Sequence, residues 1–254
     1  PEFSQIDLEM SFIDLEDIMA MGEGMARTLW KEVLGVDLPA PFKRMTWTES
    51  MRMYGNDKPD LRFGMPIIEL SDWAPTCGFS VFQKAIESKG AVRALNAKGA
   101  SEALSRRTLD TLTEFAKGLG AKGLAWIKIG ADPNKAEDWQ GPAAKNISAE
   151  ARVELGRRLS VGPGDVLFFG ADSEKMVCTV LGAVRNELGR NILKLARADD
   201  WQFLWIHSAP LFEWNEDERS FVANHHPFTS PYPDHVQFLE SGTATQVAPW
   251  AIDC

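Results

Sequence analysis

From Phe3 to Phe12 the chain alternates. Ile6, Leu8, Met10 and Phe12 fall on one side, and Gln5, Asp7, Glu9 and Ser11 on the other. Period-two alternation is the pattern of a strand with one buried face. Asp14 then stands where an N-cap belongs. Ile18, Met21, Met25, Leu29 and Val33 recur at helical spacing up to Gly35, which predicts a helix over Leu15–Leu34. After the link Leu38-Pro39-Ala40-Pro41, Thr46 and Glu49 have the spacing of a capping box for a short helix ending at Gly55. A polar turn at 56–60 and an extended stretch to Leu70 follow.

From about Asp72 the texture changes. FSVFQKAI and AVRAL read as strands, and 98–101 as a Gly/Ala/Ser link. A helix over Arg107–Leu119, a strand over Leu124–Ile129 and a polar surface loop over Asp132–Gln140 come next. A helix over Ala149–Leu159, a Gly-Pro-Gly turn at 162–164, the strand VLFFG and a helix over Glu174–Leu188 complete the segment. It has enough apolar residues for a core of its own. After Asp200 the strand WQFLWIH leads to a loop with two adjacent histidines. The pattern predicts an α+β fold with a core domain split in sequence, residues 1–73 plus 204–254, around an inserted module at 74–203.

Composition narrows the class. At 44% hydrophobic and 25% charged, the chain is that of a globular protein, and no apolar run approaches the roughly 18–20 residues of a membrane span. Cys77, Cys178 and Cys254 lie far apart without ligand spacing, as ordinary thiols of a cytoplasmic protein do. The net charge of -9 hides a division: residues 75–203 hold 19 basic and 15 acidic side chains, the flanks 8 and 21. Chance variation between two domains accounts for this. So does a mildly basic module that faces a polyanion. Arg106, Arg107, Arg157 and Arg158 are candidates for such contact or members of ordinary solvated helix faces. The chain opens without methionine inside a strand-like pattern and ends at Cys254 without a helix stop, so it reads as cut from a longer chain at both ends.

Three places carry candidate chemistry. Gln5, Asp7 and Glu9 would project from one side of a sheet, either into solvent or as a floor where carboxylates grip an ammonium group. Pro227 keeps His226 extended, so His225 and His226 diverge. They are surface-loop histidines or recognise an anionic substrate. Asp253, in an apolar strand, needs a cation, a donor or a metal such as magnesium. No GxxxxGK[ST], GxSxG or HExxH motif is present.

Together the segments resemble one family. PEFSQIDLEMSF resembles the second strand of motif 2 in class II, bacterial-type aspartyl-tRNA synthetases. MRMYGNDKPDLRFG is similar to the stretch before that family's insertion, GPAAKNIS to part of the insertion (GAD) domain, and APLFEW and HHPFTSP to the strand and loop that return to the catalytic sheet. The resemblance implies an antiparallel-sheet catalytic domain interrupted by an α+β GAD-type domain. It also implies a ligase that activates L-aspartate with ATP and Mg2+ and transfers it to tRNA(Asp). Gln5 and Asp7 match positions lining the aspartate pocket, with Asp7 near the substrate ammonium. His225 matches a histidine contacting aspartate, with His226 beside it, and Asp253 matches the first of two acidic residues that help hold magnesium and ATP. Motif 1, the motif 2 and motif 3 arginines, the upstream lysine and the anticodon-binding barrel are missing, so the fragment is expected to be inactive alone. Its parent is expected to be a cytoplasmic homodimer that binds neither membrane nor DNA. A stand-alone tRNA-binding or accessory module derived from a synthetase is the alternative, and a generic small-molecule-binding α+β domain a third reading.

Overall fold

The computed structural model describes residues 2–215, 217–224 and 229–240. In chain order its elements are α1 (Leu15–Leu29), β1 (Lys43–Thr46), α2 (Trp47–Tyr54), β2 (Ile68–Glu69), α3 (Ser80–Glu87), β3 (Ala91–Ala97), α4 (Arg106–Gly118) and β4 (Ala125–Ile129). Then come β5 (Trp139–Gln140), α5 (Ala149–Arg158), β6 (Val166–Asp172), α6 (Glu174–Asn186), β7 (Leu204–His207), β8 (Phe212–Asn215), β9 (Ser220–Ala223) and α7 (Val236–Glu240). The chain forms two compact units, Pro1–Trp47 with Phe203–Cys254, and Thr48–Gln202. The architecture is α+β. No described helix is long and apolar enough to cross a membrane.

In the second unit, five antiparallel strands run in the order β2-β3-β6-β4-β5. Period-two geometry splits their side chains between two cores. Leu95, Ala97, Trp126, Val166 and Phe168 pack with α4 and α6. Val92, Ala94, Ile127, Ile129, Leu167 and Phe169 pack with Phe82 of α3 and Leu155 of α5. Both faces are covered, so every residue of β3 is buried, including Arg93 and Asn96. Serine caps open three helices: Ser105, Ser148 and Ser173 accept from the backbone N–H three residues on.

Three readings from sequence change here. FSVFQKAI, expected as a strand, is α3. Phe79, Phe82 and Ile86 recur at three and four residues and pack inward, with Phe82 against Phe79 and Phe169 at centroid distances of 4.7 and 5.4 Å. The 132–140 stretch is not all surface loop: Trp139 is buried on the edge strand β5, its indole N–H donating to Pro133 O at 2.7 Å. Residues 48–73, expected with the first flank, lie in the second unit. There Phe63, Met65 and Ile67 enter a core, and β2 pairs with β3.

Arg185 fastens that segment. It is fully buried on α6 and donates to Asp60 O (2.8 Å), Gly64 O (2.8 Å) and Met65 O (3.1 Å), between the rings of Tyr54 and Phe63. The approach is close. A Cβ at Gly182 would meet Gly55 O at 2.6 Å, and one at Gly189 would meet Phe63 at 2.4 Å. Arg185→Met keeps most of the volume but strands these carbonyls, so a loss of at least about 3 kcal/mol is expected in denaturant unfolding. A loss under about 1 kcal/mol would contradict the role given to these bonds.

Asp165, 2% exposed, closes the Gly162–Gly164 turn. Burial works to raise its pKa, but the N–H groups of Gly162 and Gly99 (2.9 Å each), Asn96 Nδ2 (2.7 Å) and Lys98 Nζ (3.1 Å) hold it below the usual carboxylate range. Its folded pKa lies below its unfolded value. Its contribution is therefore fully present above the unfolded pKa, near pH 4, and is lost as pH falls through the folded pKa. Asp165→Asn should flatten part of the acid limb in a plot of stability against pH; an unchanged limb would disprove the assignment.

Candidate functional site

Unit one is built around α1. Asp14 Oδ1 accepts from the N–H groups of Glu16 and Asp17, and Asp17 Oδ2 accepts from Asp14 N at 3.0 Å. That capping box starts the helix where the sequence indicates. The buried face, however, is not the expected stripe. Leu15, Met19, Glu23, Ala26 and Trp30 turn inward, while Met25, Leu29 and Val33 stay exposed.

That face meets the parallel pair β1–β7, whose register sets Arg44 opposite Trp205 and Thr46 opposite His207. Phe203 stacks on Phe42 and meets Trp30 edge-on, both at 5.0 Å. Trp205 lies so close to Gly22 that a Cβ there would be 2.9 Å from the indole. The indole N–H donates to Glu23 Oε1 at 2.9 Å, which gives the buried Glu23 its hydrogen bond. Arg44 Nη1 donates to Glu16 Oε1 at 2.6 Å, and this bond holds the Glu16 carboxyl below its ordinary pKa, helped by His207. His207 Nδ1 is 2.9 Å from Ser208 Oγ. These pairs satisfy one another and lock β7 to α1. His207 and Ser208 stand at the distance of a base and a hydroxyl, and the described hydrogen bonds give the imidazole no third group to orient it.

Beyond β7, the hairpin β8–β9 is paired from Phe212↔Ala223 to Asn215↔Ser220, with Trp214 edge-on to Phe221 at 5.2 Å. Asn224 donates its N–H to Leu211 O at 3.0 Å and Nδ2 to Pro210 O at 3.4 Å. The chain is thus fixed at the residue before His225.

The sequence candidates fall in two groups. Gln5 and Asp7 are described, and their side chains are exposed, as is that of Glu9. The expected strand over Phe3–Phe12 does not form: among the described residues none of the ladders includes this segment, and its apolar row stays uncovered. Phe3 stays 79% and Ile6 68% exposed. His225, His226 and Asp253 lie outside the described residues. Among the described residues no three His, Cys, Asp or Glu side chains converge as metal ligands.

Sequence reasoning passed over Glu16, Glu23, Arg44, Trp205 and His207. Glu23 is buried while Glu16, seven residues before it, is exposed, and a carboxylate in a helical pattern reads as solvent-facing, so no local signal marked Glu23 as inward. Trp205→Phe leaves the Glu23 carboxylate buried without its donor. Unfolding should show a loss of about 1–3 kcal/mol that is partly recovered when Glu23→Met is added; strictly additive losses would sever the pair.

The chain matches the family model described as tRNA synthetases class II (D, K and N) over residues 1–248. It is 45% identical over 250 residues to the aspartate–tRNA(Asp/Asn) ligase of Symbiobacterium thermophilum, an alignment covering 98% of this chain and 41% of that protein. With the aspartate–tRNA(Asp/Asn) ligase of Desulfotalea psychrophila the identity is 46% over 241 residues, covering 95% and 39%. With the aspartate–tRNA ligase of Halalkalibacterium halodurans it is 45% over 245 residues, covering 96% and 40%. The chain spans about two fifths of the length of these relatives.

Proposed function

The chain belongs to the family of class II tRNA synthetases (D, K and N), and on that premise we propose that it is a segment of an aspartate–tRNA ligase. The parent enzyme activates L-aspartate with ATP as aspartyl-adenylate and transfers the aspartyl group to tRNA(Asp). The observation that carries this reading is an identity of about 45% along nearly the whole chain with proteins named for that activity. The unit of Pro1–Trp47 and Phe203–Cys254 is read as catalytic core. The inserted GAD-type domain is read as Thr48–Gln202, wider than the 74–203 drawn from sequence.

In this reading the open carboxylate of Asp7 receives the substrate ammonium, and Gln5, two residues away on the same side of an extended chain, offers an amide donor and acceptor. His225, reached directly from the Asn224 clamp, contacts the substrate aspartate, with His226 beside it. An imidazole N–H can donate to a carboxylate. Asp253 contributes one hard oxygen ligand toward magnesium and ATP, whose binding supplies charge neutralisation at the phosphates. The parent is taken to be a cytoplasmic homodimer.

The test is aspartate-dependent exchange of pyrophosphate into ATP. The 254-residue chain should give none, since it spans about two fifths of its relatives' length. The full reading frame should be active, and Asp7→Asn within it should raise KM for aspartate about tenfold to a hundredfold, the loss of a hydrogen bond between charged groups. Robust exchange by the chain alone, or an unchanged KM, would overturn the respective part. Running charging with tRNA(Asp) and tRNA(Asn) assigns the acceptor.

A further inference from the structure

Within the second unit a cavity of about 380 Å³ lies between α5 and the loop that precedes β5. Asn134, Lys135, Arg152 and Arg157 supply its polar lining, beside Trp139 and Val161. No carboxylate is among the described residues that line it. Acids outside the lining partner two of these cations, and Glu150 in the first turn of α5 lies in the field of Arg152. Glu154 accepts from Arg157 Nε (3.0 Å) and Nη2 (2.8 Å) and from Arg158 Nε (2.8 Å), and Asp132 lies 4.0 Å from Lys135 Nζ.

Arg152 stands apart from its neighbours. Its Nε is buried and has no hydrogen-bond partner. The Arg152 side chain lines the cavity, and its buried Nε lacks the acceptor that a buried N–H ordinarily has. Arg157 bonds Glu154 through Nε and Nη2, so its Nη1 takes no part in that pair. The first residue of α5, Ala149, also lines the cavity and adds the positive end of the helix dipole.

Three cations line the cavity and no carboxylate does; Arg157 and Lys135 also pair with acids outside the lining, and the guanidinium N–H groups left over suit an anion with several acceptor oxygens. A phosphate group has that chemistry, and guanidinium groups match it in geometry. The volume lies within the roughly 300–1,000 Å³ of ligand pockets, so it has room for the sugar or ester attached to a phosphate.

We propose that the cavity formed by Lys135, Arg152 and Arg157 binds a phosphate group, from an RNA backbone or from a free phosphate ester. The RNA source rests on the tRNA-ligase reading above; the phosphate site itself does not.

The experiment uses the whole chain and two probes, inorganic phosphate and a short RNA duplex, followed through the amide resonances of 133–136 and 149–157. Phosphate should shift these residues saturably, and Arg152→Gln should weaken that binding about tenfold. Lys135→Ala, at an exposed side chain, should weaken it in the same direction even if Arg152→Gln folds poorly. Lys84→Ala, a cation outside the cavity, should leave it unchanged. If RNA displaces phosphate, and Arg152→Gln lowers RNA affinity and reduces the salt slope by about one, the source is a nucleic-acid backbone. If phosphate binds and RNA neither binds nor displaces it, the source is a free phosphate ester, and aspartate-dependent exchange is unaffected as a test of the ligase reading. No shift with either probe overturns the proposal, as do wild-type affinity in both cavity variants and an equal loss in Lys84→Ala.

Discussion

A guanidinium with no exposure has to find acceptors for its N–H groups inside the protein, and Arg185 finds most of them in one short stretch of backbone. The carbonyls of Asp60, Gly64 and Met65 and the faces of Tyr54 and Phe63 surround it. Burial pushes its pKa down to about 10, still far enough above neutrality to leave it charged. Its Nη1 has no partner, so the arrangement is not a perfectly satisfied one. What it secures is position. The 54–65 segment can bring those carbonyls to the guanidinium only if it lies directly on α6; Gly55 and Gly182 let the two backbones come that close, and Gly189 leaves room for the Phe63 ring.

That constraint propagates through α6 into the sheet. Arg93, in the middle of β3, reaches Glu69 on β2 (2.7 Å), Glu174 (2.7 Å) and Cys178 Sγ (2.8 Å), the last two on α6. On the opposite face of the same strand, Asn96 donates to Leu159 O (3.1 Å) and Asp165 (2.7 Å) beyond α5. A slip of β3 by one residue would exchange these faces and strand both side chains in apolar surroundings. The apolar residues of β3, three of them alanine, discriminate weakly between registers, so the two buried polar residues are what make one register much better than its neighbours.

Elements whose stability is local were legible in sequence. The Asp14 cap, the helices after Ser105, Ser148 and Ser173, and strands β4 and β6 all sit where spacing and capping chemistry put them. What failed depended on partners distant in sequence. Which face of α1 is buried is decided by Trp205, more than 180 residues away, which selects Glu23 over the more apolar stripe through Met25 and Leu29. FSVFQKAI has residues with strand preference, yet its three inward aromatic and aliphatic positions fit a helix lying on the sheet. Nothing local ties residues 54–65 to Arg185, because a lone arginine in a helix pattern gives no sign that it points inward. At the candidate site, Gln5 and Asp7 were legible as a polar row and through family resemblance, whereas Glu23 and Trp205 leave almost no local signal.

The exposed segment 2–12 shows why geometry and identity part company in this chain. Its alternation puts Gln5 and Asp7 on one side and Ile6, Leu8 and Met10 on the other, an arrangement that acquires meaning only when a neighbouring strand fixes the backbone and covers the apolar row. Without a ladder, the same residues are simply a solvated stretch with large apolar side chains in water, and no distance among them argues for a pocket. The return of the chain toward the histidines is different, because Glu23–Trp205, the Phe203 stack and the Asn224 clamp fix it through contacts within the described residues. One wall of the proposed aspartate pocket is therefore positioned by packing that can be followed bond by bond, up to the residue before His225. The opposite wall is specified only by its sequence pattern, and its chemistry depends on strand partners that the described elements do not provide. The functional reading accordingly rests on the order and identity of segments, and the fold explains how one of them is held.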